Sequence, residues 1–301
     1  MANSLRLKSF LSLLLALAMV LSMAACGGKP GPEPSSSDPD SQLSGGGDLS
    51  DGSGDPDSSS QDEVDSSGSD SPADTRTPKE IFNDLAKKTV TSHEKNRDTM
   101  GWLYVPGTTI DESVVQGFDN DYYLRRDFLG RNAFDGSYFL DYRTRLGERA
   151  QLSPNVVIYG HSMDDNPDGA RFSQLKKYLD VEYAKQNPYI YFTTPDSDNM
   201  IWQIFAVFYT DISFEYHHPN MDNAQFLSLI NEARQRSQLN FDLPVGVNDT
   251  ILTLSTCTYL FDPAKRANYR FVVMAKLLPA GAEAKTPVKV EVNPTPKAPS
   301  A

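Results

Sequence analysis

Residues 250–276 read TILTLSTCTYLFDPAKRANYRFVVMAK, two apolar runs on either side of a polar, charged loop. Each run has the length and the β-branched content of a strand, and the loop between them carries the Asp, Pro and Asn of a chain reversal. The first strand closes at Cys257 and the second opens at Arg270. A lone thiol at a strand end is either a small buried hydrophobe or a group kept for its reactivity.

The same texture extends outward from this pair. After Met100 the chain breaks into runs such as GWLYVPGT, ESVVQG, GSYFLDY, NVVIYGH, YIYFTT and MIWQIFAVFYT, which with DTILTLSTC and RFVVMAKLL make eight. Eight short strands joined by loops predict a mainly β domain, a barrel or a sandwich. Two helical insertions, 170–186 and 223–237, repeat apolar residues at three and four and are expected to cover the sheet. The folded part should begin with a helix, because Thr77, Pro78 and Glu80 supply an N-cap, a first-turn Pro and an acid at the positive end. From Pro279 the chain is rich in Pro and Ala and reads as a loose tail. There is no internal repeat, glycine-rich phosphate loop or metal-spaced Cys/His cluster.

The N-terminal quarter is different in kind. Residues 1–26 join basic Arg6 and Lys8 to an apolar run and end in Ala24-Ala25-Cys26, an export signal whose close resembles a bacterial lipobox. Cys26 is then the lipidation site. Residues 27–77 are Ser, Gly, Pro and Asp with no aromatic residue, and are expected to form a disordered acidic tether. Of the formal net charge of −12, this segment holds −10 and the signal +2, so residues 78–301 carry only −4. The acidity belongs to the tether, and nothing in the balance favours nucleic acid as a partner. With two Cys in the chain and Cys26 modified, the exported domain keeps one thiol and no intrachain disulfide. An unpaired exported thiol is exposed to oxidation, which favours the chemical reading of Cys257.

A thiolate nucleophile needs a base to take its proton and a donor for the oxyanion it generates. His93 lies in a polar helical segment and is expected to be solvated, while His217 and His218 precede Pro219 in a turn, near substrate or simply at the surface. His161 follows NVVIYG, so it emerges where a strand meets a loop, the same placement as Cys257. Arg270 and Arg266 are the candidate oxyanion donors. Arg270 is favoured because the adjoining strand fixes it, whereas Arg266 stands in the looser loop, and a plain ion pair is the alternative for either.

Taken together, WLYVPGTTID (102–111), VVQ (114–116), GSYFLD (136–141), VVIYGHSM (156–163), TLSTCTY (253–259) and RFVVMAK (270–276) resemble the class B sortases, cysteine transpeptidases of Gram-positive cell surfaces. The resemblance runs from about residue 78 to 278. It implies an eight-stranded sortase-type β-barrel with N-terminal helices and inserted covering helices. It also implies that His161, Cys257 and Arg270 are catalytic and that Ser255 and Tyr259 line the substrate groove. The partners it implies are secreted proteins with an NPxT-like sorting motif, an amine of a peptidoglycan precursor or pilin as acceptor, and the membrane through the lipid at Cys26. No metal or cofactor is required. Two other readings use the same residues: a hydrolytic cysteine peptidase, and a lipid-anchored binding module without catalysis.

Overall fold

Eight strands close into a barrel in the computed structural model, which describes residues 74–195, 200–262, 264 and 267–300. They are β1 (Thr99–Tyr104), β2 (Asp111–Val115), β3 (Tyr138–Leu140), β4 (Asn155–Tyr159), β5 (Tyr189–Thr193), β6 (Ile201–Asp211), β8 (Ile251–Thr258) and β9 (Tyr269–Leu277). Their order around the barrel is β1-β2-β3-β4-β8-β9-β6-β5, and β1 pairs with β5 to complete the ring. Closure leaves these strands without open edges. All neighbours are antiparallel except β2 with β3 and β4 with β8. The eight apolar runs of the sequence are these eight strands, and the barrel is the arrangement realised.

The runs read as continuously apolar because several strands are covered on both faces. Leu252, Leu254, Phe271 and Val273 point into the barrel with Val156, Ile158, Phe192 and Trp202. Ile251, Val272 and Met274, alternating with them, pack outward against Phe226, Leu229, Ile230 and Ala233 of helix α3 (Asn223–Arg236). Helix α1 (Pro78–Lys95) lays Ile81, Phe82 and Leu85 on Tyr104, Tyr189 and Tyr191. Its start is the expected one: Thr77 Oγ1 accepts from the Glu80 N–H at 3.3 Å and the Glu80 carboxylate accepts from the Thr77 N–H at 2.8 Å. Among the described residues α1 is the single helix that precedes the barrel.

Three expectations are corrected. The 170–186 insertion is not one helix but a 3-10 stretch, Phe172–Leu179, followed by α2 (Val181–Gln186). Asp180 divides them, its carboxylate accepting from the Glu182 and Tyr183 N–H groups at 2.8 and 2.9 Å, which restarts the helix with a cap of its own. The tail from Pro279 is not loose: β10 (Val290–Val292) pairs with β7 (Leu239–Phe241), and Val290 is 3% exposed. Val288 and Val290 alternate with Lys289 and Glu291, a strand signal that the surrounding Pro and Ala outweigh in composition. The ordered chain also starts before Pro78, since Asp74 binds the Arg76 guanidinium at 2.8 Å and accepts from the Tyr104 hydroxyl. The export signal, Cys26 and the rest of the tether lie outside the described residues. Among the described residues no helix is long and apolar enough to cross a membrane.

Candidate active site

Three adjacent strands end at one place. In the parallel pair β4–β8, Tyr159 stands opposite Ser255, and the Gly160 N–H donates to the Ser255 carbonyl at 3.2 Å. Two residues further along both chains come His161 and Cys257, carried by the shared register to the same end of the sheet. In the antiparallel pair β8–β9, Cys257 is the direct partner of Arg270. His161, Cys257 and Arg270 therefore line one pocket of about 180 Å³, together with Asn120, Leu124, Phe139, Tyr159, Gly160, Ser255 and Thr256. Cys257 is half-buried, the one residue of β8 that is not fully enclosed.

Gly160 is fixed by packing rather than by a turn. A Cβ there would meet the Tyr138 ring at 2.7 Å and the Phe172 ring at 2.8 Å, and those two rings are stacked with centroids 4.5 Å apart. The missing side chain lets β4 pass under the stack and deliver His161 to the rim. The imidazole is then oriented by Leu124, whose carbonyl lies 2.7 Å from Nε2. A carbonyl can only accept, so Nε2 carries the proton and Nδ1 is the basic nitrogen. Burial lowers the His161 pKa; the Leu124 hydrogen bond opposes that, and the charges of Arg125 and Arg171 reinforce it. At neutral pH the ring is neutral and able to accept a proton.

Arg270 is held by main-chain carbonyls: its Nη1 donates to Tyr269 O at 3.0 Å and to Ala267 O. Ala267 takes a left-handed conformation, φ 58°, where the loop turns into β9. Arg266, the other candidate, lies outside the described residues. Ser255 is buried, and its hydroxyl shares a 2.7 Å hydrogen bond with the Tyr216 hydroxyl. Tyr259 is not among the pocket residues; its backbone N–H donates to Asp165 Oδ2 at 2.6 Å.

A buried carboxylate supports the Asn120 and Tyr159 side of the pocket. Asp141 is fully enclosed, accepts from Arg143 Nε and Nη2 at 2.9 and 2.8 Å, and receives Asn120 Nδ2 at 3.0 Å and the Tyr159 hydroxyl at 3.1 Å. Burial alone would raise its pKa, but Arg143 and Asn120 hold the carboxyl below the usual range. Asn120 and Tyr159 are thereby locked where they face the pocket.

The other histidines are elsewhere. His93 is not solvated: its Nδ1 lies 2.8 Å from the Thr99 carbonyl and ties α1 to β1. His217 and His218 stack on each other at 5.2 Å, and neither lines the pocket. Sequence reasoning missed Asn120, Leu124 and Tyr216, which reach the site from irregular segments or, for Leu124, from the 3-10 turn Tyr122–Arg125, with no strand-end signal. Among the described residues no cluster of His, Cys, Asp or Glu could hold a metal ion.

A family model described as Sortase domain matches residues 103–278. Sortase B of Listeria monocytogenes is 34% identical over 184 residues, which is 61% of this chain and 71% of that protein. The structure of a Staphylococcus aureus sortase B–substrate complex superposes with a TM-score of 0.58 at 26% identity, covering 67% of this chain and 92% of that one. A structure of sortase B complexed with triglycine gives 0.57 at 27% identity over 67% and 92%.

Proposed function

The chain belongs to the class B sortases, cysteine transpeptidases that cleave sorting motifs, and from that premise we propose that Cys257, His161 and Arg270 carry the reaction here. The observation that supports this most is the register: β4, β8 and β9 bring base, nucleophile and guanidinium to one pocket rim from three adjacent strands.

The Cys257 thiol passes its proton to His161 Nδ1, and the thiolate forms a C–S bond at the Thr carbonyl of an NPxT-like motif. The Arg270 guanidinium faces the oxyanion of the tetrahedral intermediate. As that intermediate collapses the peptide C–N bond breaks, and His161 returns its proton to the leaving amine. A thioacyl-enzyme remains. An acceptor amine then attacks the thioester and gives a proton to His161; a C–N bond forms, the C–S bond breaks, and His161 passes that proton back to the departing Cys257 thiolate. Ser255 lines the nucleophile's side of the pocket.

The acceptor is an amine of a peptidoglycan precursor or of a pilin, a reading supported by the triglycine complex of a relative. The enzyme works at the outer face of the cytoplasmic membrane, held by a lipid on Cys26 through the acidic tether. Mass spectrometry of the membrane fraction should find a diacylglyceryl-modified N-terminus at Cys26; an intact Met1 would reject the anchor.

Incubating the full chain with an NPxT peptide and triglycine tests transpeptidation against hydrolysis. Amide-linked product is expected, and free acid alone would make the protein a peptidase.

A further inference from the structure

Lys176 is a buried ionisable residue that the mechanism does not use. It sits in the 3-10 stretch Phe172–Leu179 with a side chain only 3% exposed. A buried ammonium persists only if it is paired. Its Nζ donates to Ser162 Oγ at 3.0 Å and lies 3.1 Å from Asp165 Oδ1. Ser162 directly follows His161, and Asp165 Oδ2 accepts from the Tyr259 N–H at 2.6 Å, two residues beyond Cys257. One ion pair, buried at Lys176 and partly exposed at Asp165, thus ties the loop that begins at His161 to the strand end that carries Cys257.

Other contacts hold the loop's own shape. Phe172 N–H donates to the His161 carbonyl at 2.9 Å, and Ser173 Oγ accepts from the Met163 and Asp164 N–H groups at 2.9 and 3.2 Å. None of these three reaches the segment after Cys257, whereas Asp165 of the Lys176–Asp165 pair binds Tyr259, the first residue past β8. The ammonium also lies 5.6 Å from the centroid of Phe271, whose backbone pairs with Thr256. Burial lowers the Lys176 pKa, against the charges of Asp165, Asp164 and Cys257 that favour its protonated form. Around the thiol itself stand His161 and Arg270 at the pocket and Tyr216 behind it.

We propose that Lys176 is a positioning residue: through Asp165 it sets the His161 loop against the Cys257 strand, and its ammonium adds positive potential at the thiolate. The inference rests on Cys257 as nucleophile and His161 as base.

The test compares the full chain with its Lys176→Met and Lys176→Gln variants. For each, the pH dependence of Cys257 alkylation by iodoacetamide, kcat, KM and the urea unfolding midpoint are measured. Loss of the ammonium should move the alkylation profile upward by about half to one pH unit and lower kcat roughly three- to tenfold with KM little changed. Gln can still hydrogen-bond Ser162 and Asp165, so it carries the same readout if the Met variant fails to fold. An alkylation profile and kcat matching the parent, even with a lowered urea midpoint, would reduce Lys176 to a structural role and overturn the proposal. Cys257→Ala is the control: turnover surviving in it would refute the underlying mechanism rather than this addition.

Discussion

His161 combines a fixed tautomer with a depressed pKa, and both have consequences that can be measured. With Nε2–H committed to Leu124, the proposed proton transfer is through Nδ1. The acidic limb of the kcat/KM profile, set by protonation of this ring, should lie below the ordinary histidine value of about 6.5. Arg125→Ala removes one of the charges that disfavour the imidazolium, so it should shift that limb upward; a limb already at or above 6.5 in the parent would contradict the account. For the oxyanion donor, Arg270→Ala should lower kcat/KM by about 10² to 10³ while Arg266→Ala leaves it near the parent. The reverse order would move the role to Arg266. His161, Cys257 and Arg270 were legible in the sequence because each sits at the end of a short apolar run, a local signal. Leu124, Asn120, Tyr216 and Lys176 were not, because they arrive through tertiary contacts from irregular or 3-10 segments.

Among the elements, the β4 exit and the tail carry separate predictions. Gly160→Ala drives a methyl into the Tyr138–Phe172 stack, so it should cost about 1–3 kcal/mol in urea unfolding and reduce kcat by displacing His161. An unchanged midpoint would show that the stack yields. Ending the chain at Pro279 removes β10 and uncovers Leu239 and Phe241, both buried in the intact protein. That truncation should destabilise the domain by about 2 kcal/mol while leaving peptide cleavage in folded protein near the parent rate, since β7 and β10 form a sheet apart from the barrel. All eight barrel strands could be read from apolar runs, several of which are covered on both faces. The three-residue β7 and β10 could not, because at that length alternation is hard to tell from a loop, and Asp180 splits a helical period that otherwise looks continuous.

At the scale of the whole molecule, the parallel β4–β8 pair brings residues about 100 positions apart, His161 and Cys257, to one rim, while the charge of −10 on residues 27–77 leaves residues 78–301 at only −4. Acid stability has an identifiable contributor at the end of β6, where Asp211 pairs with Tyr269 beside Arg270. Although burial would raise its pKa, the hydroxyl and N–H of Ser213 and the N–H of Ser300 hold the Asp211 carboxyl at about 2. Its folded pKa lies below the unfolded value of about 3.9, so its contribution is present above pH 4 and lost as pH falls toward 2. Asp211→Asn should flatten the fall of the urea midpoint in that window, and an unaltered slope would assign acid lability elsewhere. The central claim concerns a covalent bond, and mass spectrometry addresses it most directly. The full chain is mixed with an NPxT peptide without added amine, quenched in acid, digested and mapped. The account predicts a thioester-linked acyl fragment ending at Thr on Cys257, released by hydroxylamine and absent from Cys257→Ala; cleavage of the peptide with no adduct on Cys257 would contradict it.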